Sequence, residues 1–224
     1  MCGRFVSASP RAVLADRFGI DEVVADELAL SYNVAPTDPV YAVVDADGGR
    51  HLEAMRWGLV PGDAADPGRA AKPINARLET VRQRPSFREA FESRRCLMPA
   101  DAFYEWGAGP GHKQPWLFRA ADGLPLALAA IWDEWRGSLL TCAIVTTAAV
   151  EPVSALHERM PLVIAPDVWD AWLDPGHSGA ELADLAAAAR PALVAHPVST
   201  RVNDVRNNDP GLVAPVPEQP SLLG

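Results

Sequence analysis

The most constraining feature of the sequence is a series of short apolar runs, each closed by turn-forming residues. The run at 40–61 is divided by Asp47-Gly48-Gly49, a combination typical of the turn between two antiparallel strands. Similar runs lie at 95–107 (with a turn at Pro99-Ala100-Asp101), 114–120, 124–135, 139–147 and 161–166. Runs of this length suit strands better than helices, so the sequence predicts a strand-rich fold.

Short helices are predicted between these runs. Ser9 would be the N-cap, Pro10 the first helical residue and Gly19 the stop of one helix. A capping box at Ser86-Phe87-Arg88-Glu89 predicts a second helix that ends at about Arg94.

The remaining segments complete the prediction of an α+β fold. Residues 168–173 (VWDAWL) and 179–190 (GAELADLAAAAR) suit helices, whereas 31–39 and 61–73 are loop-like. Strands mixed with short helices, without a repeat or a linker, predict one domain over residues 1–224. The tail at 213–224 is expected to fray.

Composition excludes several classes of protein. The chain has 224 residues, 49% of them hydrophobic, which is ample for a core. It contains no apolar stretch of about eighteen residues and no secretory signal, so we expect a cytoplasmic protein that does not enter a membrane. Cys2, Cys96 and Cys142 form no CxxC pair, which argues against a disulfide framework and a structural zinc site.

The charge is unevenly distributed along the chain. The net charge is −9, which is not typical of a nucleic-acid-binding protein. The segment 69–95 nevertheless carries eight basic and three acidic side chains, a local excess of +5. This segment could form an ordinary solvated face or a groove for a polyanion, and the sequence leaves both interpretations open.

The N-terminal sequence Met1-Cys2-Gly3-Arg4 offers unusual chemistry. Because Cys2 has a small side chain, a methionine aminopeptidase would be expected to remove Met1. Removal of Met1 would leave Cys2 with an α-amine and a thiol on adjacent carbons. An α-amine has a reference pKa of about 7.7–8, so part of it is neutral and nucleophilic near neutral pH. It could form an imine with an aldehyde, or serve as the general base for the thiol. Most chains that begin Met-Cys make no use of the cysteine, so this feature requires support from the rest of the sequence.

Three further polar residues are candidates for catalysis. Glu105 lies on an alternating strand beside apolar residues, where it could form a structural ion pair or act as a general acid or base. His157 precedes an apolar strand, and Asn75 can both donate and accept a hydrogen bond. A structural histidine and a turn asparagine remain the simpler alternatives. Trp57 and Trp106 could stack on bases or belong to the core.

Eight motifs follow one another along almost the whole chain. They are MCGRF (1–5), YNVAP (32–36), RWGLVP (56–61), INARLET (74–80), RCLMPADAFYEW (95–106), IVTTAA (144–149), HERMPLVI (157–164) and HPVSTRVNDVRN (196–207). In this order they resemble the SOS-response-associated peptidase family, the abasic-site-processing proteins.

The resemblance implies a fold and a partner. The fold would be a single compact α+β domain with a twisted, barrel-like, mainly antiparallel sheet and short flanking helices. Its partner would be single-stranded DNA that contains abasic sites, bound in a positively charged groove by a monomer associated with the nucleoid. Ala102 stands where the family commonly has Gly, and alanine would be strained there if that position required a positive φ.

The resemblance also implies roles for individual residues. Cys2 would be the nucleophile that forms a thiazolidine with the ring-opened abasic site, and the family's peptidase name would refer to self-removal of Met1. The other implied active-site residues are Asn75, Glu105 and His157. The implied phosphate contacts are Arg4, Arg77, Thr146 and Arg159, and the implied base contacts are Trp57 and Trp106.

The expected mechanism requires no metal and no organic cofactor. Glu105 would assist opening of the sugar ring, His157 would move protons, Asn75 would hold the amine or a sugar hydroxyl, and the sulfur would trap the imine. Three other functions remain open: an amidohydrolase with an N-terminal cysteine, a non-catalytic single-strand-binding module, and a protease acting on other proteins.

Overall fold

The computed structural model describes residues 2–108, 113–178, 181–182 and 190–216. The strands in chain order are β1 (Phe5–Ser7), β2 (Glu22–Val23), β3 (Ser31–Val34), β4 (Pro39–Ala46), β5 (Gly49–Trp57), β6 (Asn75–Arg77), β7 (Arg95–Ala100), β8 (Ala102–Gly107), β9 (Gln114–Ala120), β10 (Leu126–Trp135), β11 (Leu139–Ala148), β12 (Arg159–Pro161) and β13 (Leu193–Pro197). The α-helices in the described ranges are α1 (Arg11–Phe18), α2 (Pro85–Ser93) and α3 (Trp169–Leu173). The prediction of an α+β fold is confirmed.

The larger of the two sheets closes on itself. Its strand order is β12-β11-β10-β7-β4-β5-β2, and β6 pairs with β11 at the side of this path. A parallel pairing of β5 with β11 joins Arg56 to Thr141 and Trp57 to Cys142. Strands β11, β10, β7, β4 and β5 therefore form a closed ring, so the expectation of a barrel-like sheet is confirmed.

The second sheet brings the two ends of the chain together. Its order is β13-β9-β8-β1-β3, with antiparallel pairing throughout. The turn at Asp101 connects β7 of the barrel directly to β8 of this sheet. The N-terminal strand therefore lies beside the motif that contains Glu105.

Alternation along the strands produces two large hydrophobic clusters. Cys96 and Met98 of β7 belong to one cluster, together with Trp57, whereas Leu97 belongs to the other. This is the period of two that a strand imposes on its side chains. The cluster that contains Leu97 also receives side chains from the three helices, including Phe18, Phe91 and Trp172. The helices thus cover the outside of the barrel.

The helix boundaries differ from the predictions in their caps. Pro10 is the N-cap of α1, one residue later than expected, because the backbone N–H and the hydroxyl of Ser9 both bond to Asp101. Gly19 ends the helix as predicted, with φ of 61° in the left-handed region. The predicted capping box of α2 is wrong: Arg84 is its N-cap, no side chain caps it, and Pro85 is its first residue.

Some predicted loops and strands also required correction. The stretch 31–39 contains β3, and the apolar run at 161–166 is a strand only at its start, since β12 ends at Pro161. Pro215 forms a bridge with Val198, so residues 213–216 are not frayed. The predicted helix at 179–190 and the rest of the tail, 217–224, lie almost entirely outside the described residues.

Three further expectations concern backbone strain, membranes and metals. Ala102 is paired with Val6 in β8 and does not have a positive φ, so alanine causes no strain there. Within the described ranges, no helix combines the length and apolarity that crossing a membrane requires. The same ranges contain no group of three or more side chains suited to hold a metal ion.

Candidate active site

Strand pairing places the N-terminus beside Glu105. In the antiparallel pairing of β1 with β8, Phe5 lies opposite Phe103, and the N–H of Tyr104 donates to the carbonyl of Arg4 at 3.0 Å. Continuing this register from Phe5 by two residues puts Gly3 opposite Glu105. Cys2 therefore lies next to that carboxyl group, although 103 positions separate the two residues in the sequence.

Asn75 holds the backbone of Cys2 from a second direction. Its Nδ2 donates to the Cys2 carbonyl at 2.9 Å. Asn75 is the first residue of β6, which runs parallel to β11 and pairs Asn75 with Ile144. The Asn75 Oδ1 is buried and makes no hydrogen bond within the described part of the chain. This oxygen is therefore a hydrogen-bond acceptor close to Cys2 that has no donor among the described residues.

Glu105 and His157 line a common pocket of about 460 Å³. Trp106, Lys113 and Asn203 complete its lining. Lys113 and Asn203 were not among the residues that the sequence predicted for the site. Asn203 lies in the last of the eight motifs, so its motif was a usable signal, whereas nothing in its sequence context distinguished Lys113.

Burial dominates the electrostatics of Cys2 and Glu105. Cys2 has no exposed surface and Glu105 is 3% exposed. Burial raises the pKa of Glu105, and His157 lowers it in part. Burial also raises the pKa of the Cys2 thiol far above its usual range, and the Glu105 carboxylate raises it further. The sulfur is therefore a neutral thiol at neutral pH, and a carboxyl group with a raised pKa lies nearby.

The backbone of Arg159 fixes the imidazole of His157. The N–H of Arg159 donates to His157 Nδ1 at 2.9 Å, which assigns the hydrogen of the neutral ring to Nε2. The Arg159 carbonyl lies 3.0 Å from the same Nδ1 and can accept from it when the ring is protonated. Both protonation states therefore have a backbone partner, which suits a residue that gains and loses a proton.

Two of the expected phosphate contacts, Arg159 and Thr146, form one cluster with Glu79. Arg159 donates to both carboxylate oxygens of Glu79, at 2.6 and 2.9 Å, and to the Thr146 carbonyl at 2.7 Å. Thr146 has no exposed surface. The Thr146 hydroxyl lies beneath Arg159 at 3.3 Å, so a direct contact of Thr146 with phosphate stays a prediction.

The other two expected phosphate contacts differ from each other. Arg4 is half-buried, and its guanidinium donates to Asn33 Oδ1 at 2.7 Å and to the Val202 carbonyl at 2.9 Å. Arg4 thus ties the strand of Cys2 to the C-terminal segment. Arg77 is exposed and its side chain makes no hydrogen bond or ion pair with any described residue, so its guanidinium is available to an anion.

The two expected base contacts also separate. Trp57 has no exposed surface, packs edge-on against Phe5 and donates to the Ile74 carbonyl at 2.9 Å. The ring of Trp57 is fully covered in this structure, so its contact with a base stays a prediction. Trp106 is half-exposed at the pocket and donates to Asn203 Oδ1 at 2.7 Å.

Much of the basic segment at 69–95 is neutralised within the protein. Arg95 is 3% exposed, and the carbonyls it binds include that of Trp172 at 2.7 Å. Arg82 pairs with Glu92, and Arg94 pairs with both Glu89 and Asp133. Part of the segment is therefore engaged within the protein, and the groove for a polyanion stays a prediction. Arg77 is the member nearest in sequence to Asn75 whose side chain remains open to a ligand.

Known proteins share both the sequence and the fold of this chain. A family model described as SOS response associated peptidase (SRAP) matches residues 1–205. The chain is 34% identical over 221 residues to the abasic site processing protein YoqW of Bacillus subtilis, covering 95% of this chain and 99% of that protein. It is 35% identical over 230 residues to the abasic site processing protein YedK of Escherichia coli, covering 96% and 100%.

A solved structure from Bacteroides thetaiotaomicron has the same fold. Its TM-score is 0.82 at 24% identity, and the match covers 96% of this chain and all of the other. The regions of this chain that match the family model and the two relatives include the motifs that contain Cys2, Asn75, Glu105 and His157. The chain belongs to the SOS response associated peptidase family.

Proposed function

We propose that this protein captures abasic sites in single-stranded DNA as a covalent thiazolidine on Cys2, after Met1 has been removed. The observation that carries the proposal is the convergence of four groups. Cys2 is held by Asn75 through a bond of 2.9 Å, and Glu105 and His157 share the adjoining pocket. The names of the relatives, abasic site processing proteins, agree with this chemistry.

The state of the thiol favours the amine as the first nucleophile. The pKa of Cys2 is raised by burial and by Glu105, so little thiolate exists at neutral pH. A free α-amine is partly neutral there, since its reference pKa is about 7.7–8. The amine would therefore attack the aldehyde before the sulfur does.

The covalent steps balance without a redox partner. The Cys2 amine adds to C1′ of the ring-opened sugar to give a carbinolamine, which loses one water to become an imine. The sulfur then bonds to the imine carbon, and the thiol proton moves to nitrogen. The products are a thiazolidine and one water. Because the ring closure consumes the imine, the DNA strand cannot be cleaved by β-elimination from the imine.

The pocket residues have separate roles in this sequence. Glu105, whose pKa is raised by burial, would give and take the proton during ring opening. His157 would protonate the departing hydroxyl through Nε2, while its Nδ1 keeps a backbone partner in both states. Asn75 Oδ1 would accept from the new amine or a sugar hydroxyl. Reversal of the cross-link would use the same protonations.

Removal of Met1 is part of the proposal. Hydrolysis of the Met1–Cys2 bond consumes one water and releases Met1 as a free amino acid, leaving the α-amine on Cys2. The complete burial of Cys2 supports removal by the protein's own groups, because a separate aminopeptidase requires an accessible N-terminus once the chain has folded. Glu105 is the nearby group able to activate that water.

Intact mass spectrometry before and after incubation with an abasic oligonucleotide tests the proposal. The first spectrum should show loss of Met1, and the second should show the mass of protein plus DNA minus one water. Cys2→Ala should give no adduct, and Cys2→Ser should give a labile imine adduct. Cys142→Ala is the matched control, because it removes a buried thiol inside the barrel and should leave the adduct unchanged. A protein that retains Met1 and still captures abasic DNA would exclude the mechanism.

A further inference from the structure

Glu79 is a polar residue that the proposed chemistry does not use, although it lies in the motif that contains Asn75 and Arg77. It follows the end of β6 by two residues, while Arg159 begins β12. Both strands pair with β11, one on each side of Thr146. The sheet thus brings Glu79 to Arg159, 80 positions away in the sequence.

The contact between the two side chains has the geometry of anion recognition. Both terminal nitrogens of Arg159 donate to the two carboxylate oxygens of Glu79, at 2.6 and 2.9 Å. This two-point arrangement is the one by which arginine binds carboxylates and phosphates. The Arg159 bonds lower the pKa of Glu79, and backbone N–H groups of Glu79 and Ala148 lower it further. The site is therefore built for a negative charge.

The two partners differ in exposure. The Arg159 side chain is 16% exposed and is anchored from below by Thr146, whereas the Glu79 side chain is 49% exposed. Glu79 can thus leave toward solvent at a small cost, while the guanidinium remains in place. Beside Glu79 lies an open depression of about 710 Å³, whose lining includes Arg82 and Arg88 as well as two acidic residues, Glu89 and Glu92. Arg82 already pairs with Glu92, so the cationic side chain that a displaced carboxylate would meet there is Arg88.

We propose that Glu79 occupies a phosphate position in the free protein and competes with DNA for Arg159. The inference rests on the proposed function, since it takes Arg159 as a contact to the DNA backbone. The Glu79 carboxylate holds the Arg159 guanidinium in its binding position and neutralises its charge until a DNA phosphate displaces the carboxylate. Glu79 therefore weakens binding of any single strand and reduces the salt dependence of binding.

Removing the carboxylate should have two measurable effects. Glu79→Gln should bind single-stranded DNA about three- to fivefold more tightly at moderate salt, the scale expected for a partly exposed ion pair. The slope of log affinity against log salt should steepen by up to about one. Without the Glu79 carboxylate, Arg159 neutralises one more DNA phosphate on binding, and one more counterion is released from the DNA. Glu79→Asp keeps the charge but shortens the side chain, and should give part of the gain in affinity.

The experiment measures fluorescence anisotropy of a labelled single strand without an abasic site, between about 50 and 200 mM salt. Glu158→Gln is the matched control: Glu158 adjoins Arg159 in sequence, is exposed, and its side chain makes no hydrogen bond or ion pair with a described residue. It should change affinity much less than Glu79→Gln. In an Arg159→Ala background, Glu79→Gln should bring no gain. Thermal melting establishes that each variant is folded.

The possible results separate this inference from the proposed function. Equal gains from Glu79→Gln and Glu158→Gln would overturn it, since the effect would then be one of net charge. Weaker binding by Glu79→Gln would also overturn it, because Glu79 would then position Arg159 for DNA. A wild-type protein that does not bind single strands would contradict the proposed function itself. Loss of the adduct with unchanged effects at Glu79 would contradict only the covalent chemistry.

Discussion

Two neighbouring regions of the molecule differ in how far their polar groups are buried and in whether they keep their charge. The capture pocket is the pocket lined by Glu105 and His157 together with the adjoining Cys2 and Asn75. Burial there raises the pKa values of Cys2 and Glu105, and hydrogen bonds that involve the backbone fix Cys2 and His157 in place. On the arginine surface, formed by Arg4, Arg77 and Arg159, charge is retained, but two of the three guanidinium groups already bind acceptors within the protein.

The difference shows how each function is tuned. The reactivity of a buried acid or base depends on its pKa, and loss of contact with water shifts that pKa. The effect does not depend on which part of the sequence supplies the surrounding side chains. Affinity at a surface arginine is controlled by competition between internal and external anions. The capture pocket should therefore be sensitive to loss of a proton-transfer group, and the arginine surface to removal of internal partners.

The largest effect should come from Glu105→Gln in the capture pocket. Loss of a general acid or base typically slows a reaction by about 10²–10⁴-fold, and we expect adduct formation to slow on that scale while DNA binding changes little. Single-turnover cross-linking at saturating DNA measures it. Glu53→Gln is the control, since burial also raises the pKa of Glu53 but Glu53 does not line the pocket. Equal rates for Glu105→Gln and wild type would remove Glu105 from the mechanism.

The second largest effect should separate the two tryptophans. Trp57→Ala should lower the free energy of unfolding by about 3–5 kcal/mol, because it leaves a cavity in the core. Trp106→Ala should instead weaken binding of single-stranded DNA by about 1–3 kcal/mol, the range for loss of one base stacking on an aromatic ring. Denaturant unfolding and anisotropy titration measure the two quantities. If Trp106→Ala unfolded the protein and Trp57→Ala changed only binding, the assignment of the two residues would be reversed.

A smaller effect should appear in the pH dependence of stability. The folded-state pKa of Glu105 is raised by burial, so the folded protein keeps a proton that the unfolded chain loses above the ordinary value of 4.5. The contribution of Glu105 to stability is therefore complete below pH 4.5 and declines as pH rises through the folded-state pKa. Glu105→Gln keeps the neutral form, so its unfolding free energy should increasingly exceed that of wild type over this window. Parallel pH profiles would contradict the burial effect.

The smallest effect should come from Arg77→Ala on the arginine surface. The variant should bind DNA a few-fold more weakly and reduce the salt slope by about one, as expected for loss of one phosphate contact. The rate of adduct formation at saturating DNA should remain that of wild type. A slower rate at saturation would mean that Arg77 acts in the capture pocket as well.

The sequence predicted the strand pattern well and the local caps poorly. Alternation and turn residues located β4, β5 and β8–β11, because these signals lie within a few positions of one another. Ser9 failed as a cap because its hydroxyl binds Asp101, 92 positions away. The stretch at 31–39, which has two prolines, was interpreted as a loop, yet its first four residues pair with β1.

The sequence by itself determined which reactive groups the protein contains: an aminothiol that Met1 removal would expose, and a carboxyl, an imidazole and an amide in motifs of the family. Only the tertiary structure decided which polar groups are already occupied. Arg4 binds the Val202 carbonyl across 198 positions and Arg159 binds Glu79 across 80, whereas Arg77 remains open. Such partners meet only in the folded chain, and whether a polar group is occupied depends on distances and exposure that residue type and spacing do not encode.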